Sequence, residues 1–174
     1  MTVDEIGGGR EPRRWWRWVA AAVVVLLVAG YGADRYARWR EHAELRDCVV
    51  EAESDLDDLA YRTAGLEVYI ASAVDRPDVA PEVRRSLRGI VQETVLRGLP
   101  PLQRDQTRCQ AVHAWHSGAR AARRAYLDYL SQRLDQVQRA VVDIDALHVV
   151  LPALAPARAR ARASLSAVGV TLSP

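Results

Sequence analysis

Cys48, Cys109, His113 and His116 are the residues whose types and spacing first suggest chemistry. On one helix Cys109, His113 and His116 would stand at i, i+4 and i+7 and share a face. With Cys48 from a neighbouring helix they would make a Cys2His2 set suited to zinc or copper, with His42 in reserve. The two cysteines also have a simpler outcome. Oxidised, they would close a loop of about 60 residues, worth roughly 4 kcal/mol in the chain-entropy account. A third outcome is a pair of free thiols buried in a core. The disulfide is the leading expectation. Because such bonds persist outside the cytoplasm, it places the segment that carries them there.

The other reactive side chains lack a motif. Asp55, Asp57 and Asp58 cluster in sequence, but on a helix they point in different directions and read as a solvated face. Ser54, Ser72, Ser86, Ser117 and Ser131 have no G-x-S-x-G context. Gly7 to Gly9 form a glycine run without the GK[ST] ending of a phosphate loop. Glu51 and Asp128 are candidates to face inward, and Trp115, Tyr126 and Tyr129 are candidates for the core or for a small pocket between helices. No catalytic site, enzyme activity or cofactor is expected.

The elements that must position these residues begin with Trp15 to Ala33. From Trp18 to Ala33 there are 16 residues without a charge. That is roughly 24 Å of helix against a hydrocarbon core of about 30 Å. Aromatic clusters extend both ends: Trp15, Trp16 and Trp18 before, Tyr31, Tyr36 and Trp39 after. Arg17 and Arg35 can reach outward along their apolar stems. The expectation is one membrane-spanning helix over residues 15–36. A cleaved signal peptide competes, but no A-x-A site is evident and helical sequence continues past Ala33. A buried core helix is the other alternative. Arginines flank the span equally: Arg10, Arg13, Arg14 and Arg17 before, Arg35, Arg38, Arg40 and Arg46 after. The positive-inside rule therefore does not set orientation; the cysteines do, with the N-terminus in the cytoplasm.

The remainder reads as all-α: a small antiparallel bundle over residues 37–156 with one long heptad-patterned helix. Leu45, Val49, Ala52, Leu56, Leu59, Thr63, Leu66, Ile70 and Ala73 follow a 4-3 spacing, which gives a first helix reaching about Val74. Gly65 falls off this seam. Pro77 and Pro81 break the pattern, and a second helix runs to about Gly98 with Val83, Leu87, Ile90, Val91 and Thr94 on one face. Gly98-Leu-Pro-Pro is expected to end it. A third helix begins near Leu102, passes a possible kink at Gly118, and reaches Leu151 through Leu127, Leu130, Leu134, Val137, Val141, Ile144 and His148. Residues 1–14 read as a disordered cytoplasmic tail. Residues 157–174, where Ala and Arg alternate, read as a weakly packed helix or frayed tail ending in an extended Val168–Leu172.

The net charge is +2 and all 24 basic residues are Arg, with no Lys, Asn or Phe. That bias suits a GC-rich bacterial genome and weakens arginine abundance as a sign of nucleic-acid binding. The layout resembles single-pass cell-division proteins, inner-membrane spanins of phages and helical receptor sensor domains, in architecture alone. The expected partners are the lipid bilayer and other envelope or membrane proteins, with a second copy as a further candidate and no nucleic acid. The leading expectation is a non-enzymatic interaction or scaffold protein of the bacterial envelope. The alternative is an extracytoplasmic domain that senses a ligand or metal.

Overall fold

A computed structural model describes residues 13–74, 81–142 and 154–172. These residues form four α-helices and no strand: α1 (Arg13–Val74), α2 (Pro81–Ala111), α3 (Ser117–Val142) and α4 (Leu154–Ser166). Of the expected 1–14 tail, Arg13 and Arg14 belong to α1; residues 1–12, the break before Pro81 and the approach to Leu151 through Ile144 and His148 lie outside the described residues. The chain divides into two compact units, Met1–Trp39 and Arg40–Pro174.

The first unit is the apolar start of α1. It is long and apolar enough to cross a membrane, and none of its apolar stretch is buried within the protein. Trp18, Val25, Leu26, Leu27, Val28 and Tyr31 are all exposed, so the segment is not a core helix of this chain. Trp15 and Trp16 meet edge to face at 5.5 Å, and Tyr36 and Trp39 lie 6.0 Å apart.

The second unit is a helical bundle. The seam of α1 is buried as its spacing requires: Leu45, Val49, Ala52, Leu56, Leu59 and Thr63 face the interior. Thr63 meets its polar requirement locally, its hydroxyl donating to the Leu59 carbonyl at 2.9 Å. The side chains of Leu66, Ile70, Ala73 and Leu87 lie outside those described. Cys48 meets Cys109 and Leu59 approaches Gly98, so α2 runs antiparallel to α1. Gln92 on α2 donates to the Val141 carbonyl at 2.6 Å, which turns α3 antiparallel to α2. Arg160 and Asp128 pair at 3.0 Å across α4 and α3.

Two boundaries differ from the sequence expectation. Gly98-Leu-Pro-Pro does not end α2; Pro100 and Pro101 lie inside it. Each proline removes one helical hydrogen bond, from the carbonyls of Leu96 and Arg97, both at exposed positions where water can replace the lost donor. Against that loss stands a seam that passes straight through: Val91, Val95, Gly98, Leu102, Asp105 and Cys109 keep the 4-3 spacing. All but Gly98 are buried, and a Cβ at Gly98 would come within 2.7 Å of Leu59 Cδ1. Of the face expected for this helix, Val83 and Ile90 are exposed and Val91 is buried.

The second correction concerns the expected 157–174 tail, of which residues 157–172 are described. These are neither frayed nor weakly packed. Ala157, Ala161 and Leu165 of α4 are fully buried at i, i+4 and i+8, with Arg158, Arg160 and Arg162 off that line. Alanine presents so little bulk that α4 can lie close to its neighbours. Its C-terminus closes on Gly169 at φ +76°, where a side chain would be strained. Gly169 N donates to the Ser166 carbonyl at 3.1 Å and Val170 N to the Leu165 carbonyl at 3.0 Å. This is a Schellman closure, and its usual apolar pair is present, since Leu165 and Val170 are both buried. The turn occupies residues 167–169, at the start of the expected extended segment Val168–Leu172, and Val170 and Leu172 beyond it enter the core.

Candidate functional site

Cys48 on α1 and Cys109 on the last turn of α2 are joined by a disulfide, with Cα atoms 5.4 Å apart and both side chains buried. Cys109 belongs to α2 and not to the start of the third helix. Antiparallel α1 and α2 bring the two cysteines to the same height. Beside the bond, Arg108 pairs with Glu51, so Glu51 faces outward to a salt bridge. Asp128 is likewise exposed, paired with Arg160.

This arrangement removes the Cys2His2 metal set. Both sulfurs are committed to each other, and α2 ends at Ala111, so His113 and His116 lie in the connection to α3 and share no helical face with Cys109. Among the described residues no group of three or more His, Cys, Asp and Glu side chains is placed to hold a metal ion. His113 is exposed, its Nδ1 lying 3.1 Å from the Ala111 carbonyl oxygen. His116 has a partner that the sequence did not suggest, in Glu41.

Glu41 is the organiser of the 112–116 connection. It is buried, and its carboxylate accepts the backbone N–H of Trp115 at 3.0 Å and of His116 at 3.2 Å. His116 Nδ1 lies 3.1 Å from Glu41 Oε2. The carboxylate thus sits at the N-terminal end of α3, where the helix dipole favours negative charge. Arg123 completes the connection by donating to the Val112 carbonyl. Burial pushes the Glu41 carboxyl up, but the donors from His116 and Trp115 outweigh it and hold the group below its ordinary value of 4.5. Glu41→Ala should therefore destabilise the bundle by about 2 kcal/mol near pH 7, since two charge-assisted bonds go and two amides lose their acceptor. A depressed carboxyl contributes stability above its unfolded pKa and loses it as pH falls through the folded one. The melting-temperature gap between parent and variant should narrow below about pH 4.

A second buried carboxylate, Glu53, lies three helical turns along α1. The Tyr126 hydroxyl donates to Glu53 Oε1 at 3.1 Å. Burial raises the Glu53 carboxyl, opposed by that hydrogen bond and by the charges of Arg158 and Arg133. Burial and the neighbouring Glu53 raise the Tyr126 and Tyr129 phenols in turn. Arg133 also donates to the buried Gln136 at 2.8 Å. Tyr126 and Tyr129, 6.0 Å apart, are core residues, as one of their two sequence readings has it. Trp115 is not: it is 77% exposed. Trp115 is tied to Glu41 and Tyr126 to Glu53, positions roughly 18 Å apart along α1. Among the described residues, that separation keeps Trp115 and Tyr126 from lining one pocket with His113 and His116.

The described groove lies elsewhere, between α1 and α2, with a volume of about 480 Å³. Leu59, Ile90, Gly98 and Pro101 form its apolar lining, and Asp55, Asp58, Arg62 and Arg97 its charged rim. Asp58 and Arg62 pair with each other at 2.7 Å. Asp57 and Asp58 are solvated, whereas Asp55 is half-buried against Asp105 of α2. The seam positions that matter for this contact, Gly98 and Asp105, escaped sequence reasoning because neither is apolar. No family model, no curated protein and no solved structure matches this chain.

Proposed function

We propose that this chain is a single-pass membrane protein whose helical bundle, on the extracytoplasmic side, makes protein–protein contacts as a scaffold or assembly component of the bacterial envelope. The observation that carries the reading is a helix long and apolar enough to cross a bilayer, exposed throughout, preceding on the same helix a bundle stapled by a disulfide. An exposed apolar surface of this extent needs lipid or protein around it, and the disulfide suits an oxidising compartment. The buried Glu41 accepts backbone amides and the buried Glu53 accepts the Tyr126 hydroxyl inside the bundle, an arrangement that supports a structural role.

The reading is tested in a bacterial host by fractionation, thiol trapping and purification from detergent-solubilised membranes. The expected result is a carbonate-resistant membrane protein with both cysteines oxidised and with envelope proteins recovered alongside it. Recovery in the soluble cytosolic fraction with both thiols reduced would overturn the placement and the role together. A second reading, ligand sensing, draws on the groove between α1 and α2, whose volume of about 480 Å³ suits a small amphipathic molecule. A ligand-dependent rise in melting temperature, abolished by filling the groove at Gly98, would favour it.

A further inference from the structure

We propose that the groove between α1 and α2 takes a small organic cation, an ammonium group carried on an apolar body, with Asp55 and Asp105 receiving the charge. This gives a ligand class to the sensing reading above, on which it rests.

The groove offers an apolar wall and, at one end, a negative charge. Leu59, Ile90, Gly98 and Pro101 form the wall, and the volume of about 480 Å³ falls within the range of small-molecule clefts. Its polar groups are not equivalent. Arg62 is paired with Asp58, and Arg97 with Glu93. The Thr94 hydroxyl donates to the Ile90 carbonyl of its own helix at 2.9 Å. Asp55 differs from all of these: it lines the groove, and the group it meets is a second carboxyl, Asp105.

Asp105 stands at i+7 from Gly98 and i+4 from Pro101, on the groove-facing side of α2. It is only 5% exposed, and its Oδ2 has no hydrogen-bond partner. A buried acceptor left in that state costs free energy, and two adjoining carboxyls resist ionising together without a counter-charge. Burial first, then Asp55, push the Asp105 carboxyl up to about 6. Arg104, exposed on α2, exerts only a smaller opposing pull. Tyr126 of α3 faces Asp105 from the core, its phenol held above its ordinary range. An ammonium at the Asp55 end supplies the charge that lets both carboxyls ionise, and its N–H donors suit their oxygens. Among the described residues no third ligand joins them to hold a metal ion. The apolar wall suits an alkyl or aromatic body rather than a hydrated ion.

The test titrates 2-phenylethylamine, and 2-phenylethanol as its neutral counterpart, into the full chain in phosphatidylcholine nanodiscs. Calorimetry and melting temperature are the readouts, with protein-free nanodiscs subtracted. At about pH 7.5 the amine should bind at least about tenfold more tightly than the alcohol, the worth of one charge-assisted contact. Its binding should weaken towards about pH 5 as the carboxyl pair takes up a proton, and near pH 6 it should release protons to the buffer. Asp55→Asn should bring the amine down to the affinity of the alcohol. Asp105→Asn should flatten the pH dependence, and Asp58→Asn, on the rim, should leave the preference for the amine in place. Equal binding of amine and alcohol would overturn the cation site and leave a ligand groove standing; binding of neither would overturn both. A preference for the amine that survives Asp55→Asn would also overturn the site. The comparison of amine with alcohol is made on the unaltered chain and holds whether or not a variant folds.

Discussion

Replacing Cys48 and Cys109 together with alanine is expected to cost the bundle about 4 kcal/mol and to lower its melting temperature by on the order of 15 °C. The bond links positions separated by 61 residues, and in doing so ties α1 to the last turn of α2. An unfolded chain so crossed has far fewer conformations, and the entropy lost to it scales with the logarithm of the loop. Alanine is the replacement of choice because both side chains are buried, and serine would add an unbonded hydroxyl. Chemical reduction of the parent should reproduce most of the loss. A further consequence is local. The disulfide lies a little over two turns of α2 beyond the prolines, so the variant should show faster amide exchange in the Leu102–Ala111 part of α2 than in α3. If reduced and oxidised protein melt within a degree or two of each other, the bond contributes no more than ordinary packing.

That cross-link was legible in the sequence through simple counting, and the reason is instructive. The expectation needs only that the chain run out along α1 and return, so that Cys109 comes back to the end of the bundle where Cys48 lies. It puts Cys109 near the start of a third helix; the structure keeps it on the last turn of α2, at that same end. The α1 seam was legible because Leu45, Val49, Ala52, Leu56 and Leu59 are apolar at strict 4-3 spacing. The α2 seam was not, because Gly98 earns its place by having no side chain where Leu59 approaches, and Asp105 is a carboxyl where an aliphatic residue is the norm. The last helix was hidden by its own composition: Ala157 and Ala161 bury little area, and the alternating arginines mask their period. Glu41 could not be found at all from local pattern, since the amides it binds lie 74 and 75 residues away.

Asp105→Asn is expected to stabilise the bundle at pH 8 while changing little at pH 4, a difference between the two conditions of about 3 kcal/mol. Asp105 is only 5% exposed, and its Oδ2 is enclosed without a hydrogen-bond partner. Burial, then the charge of and hydrogen bond with Asp55, push its carboxyl from 3.8 up to about 6, against a smaller pull from Arg104. The folded chain therefore holds a proton that the unfolded chain releases. Stability from such a group is fully present below the unfolded pKa and is lost as pH rises through the folded one, here between about pH 4 and pH 6. Glu41 acts in the opposite sense, contributing only above the acid range. The two therefore oppose each other in the acid range: ionisation of Glu41 favours the folded bundle as pH rises, and ionisation of Asp105 disfavours it. Asparagine keeps the shape, can still donate to Asp55 and never ionises, so the variant should lose the alkaline decline and keep the acid one. Melting temperatures of parent and variant across pH 4 to 8, in the reconstituted full chain, decide it. Parallel profiles would mean that Asp105 ionises inside the folded bundle as readily as outside it, with α1 and α2 parting enough to admit water at the seam.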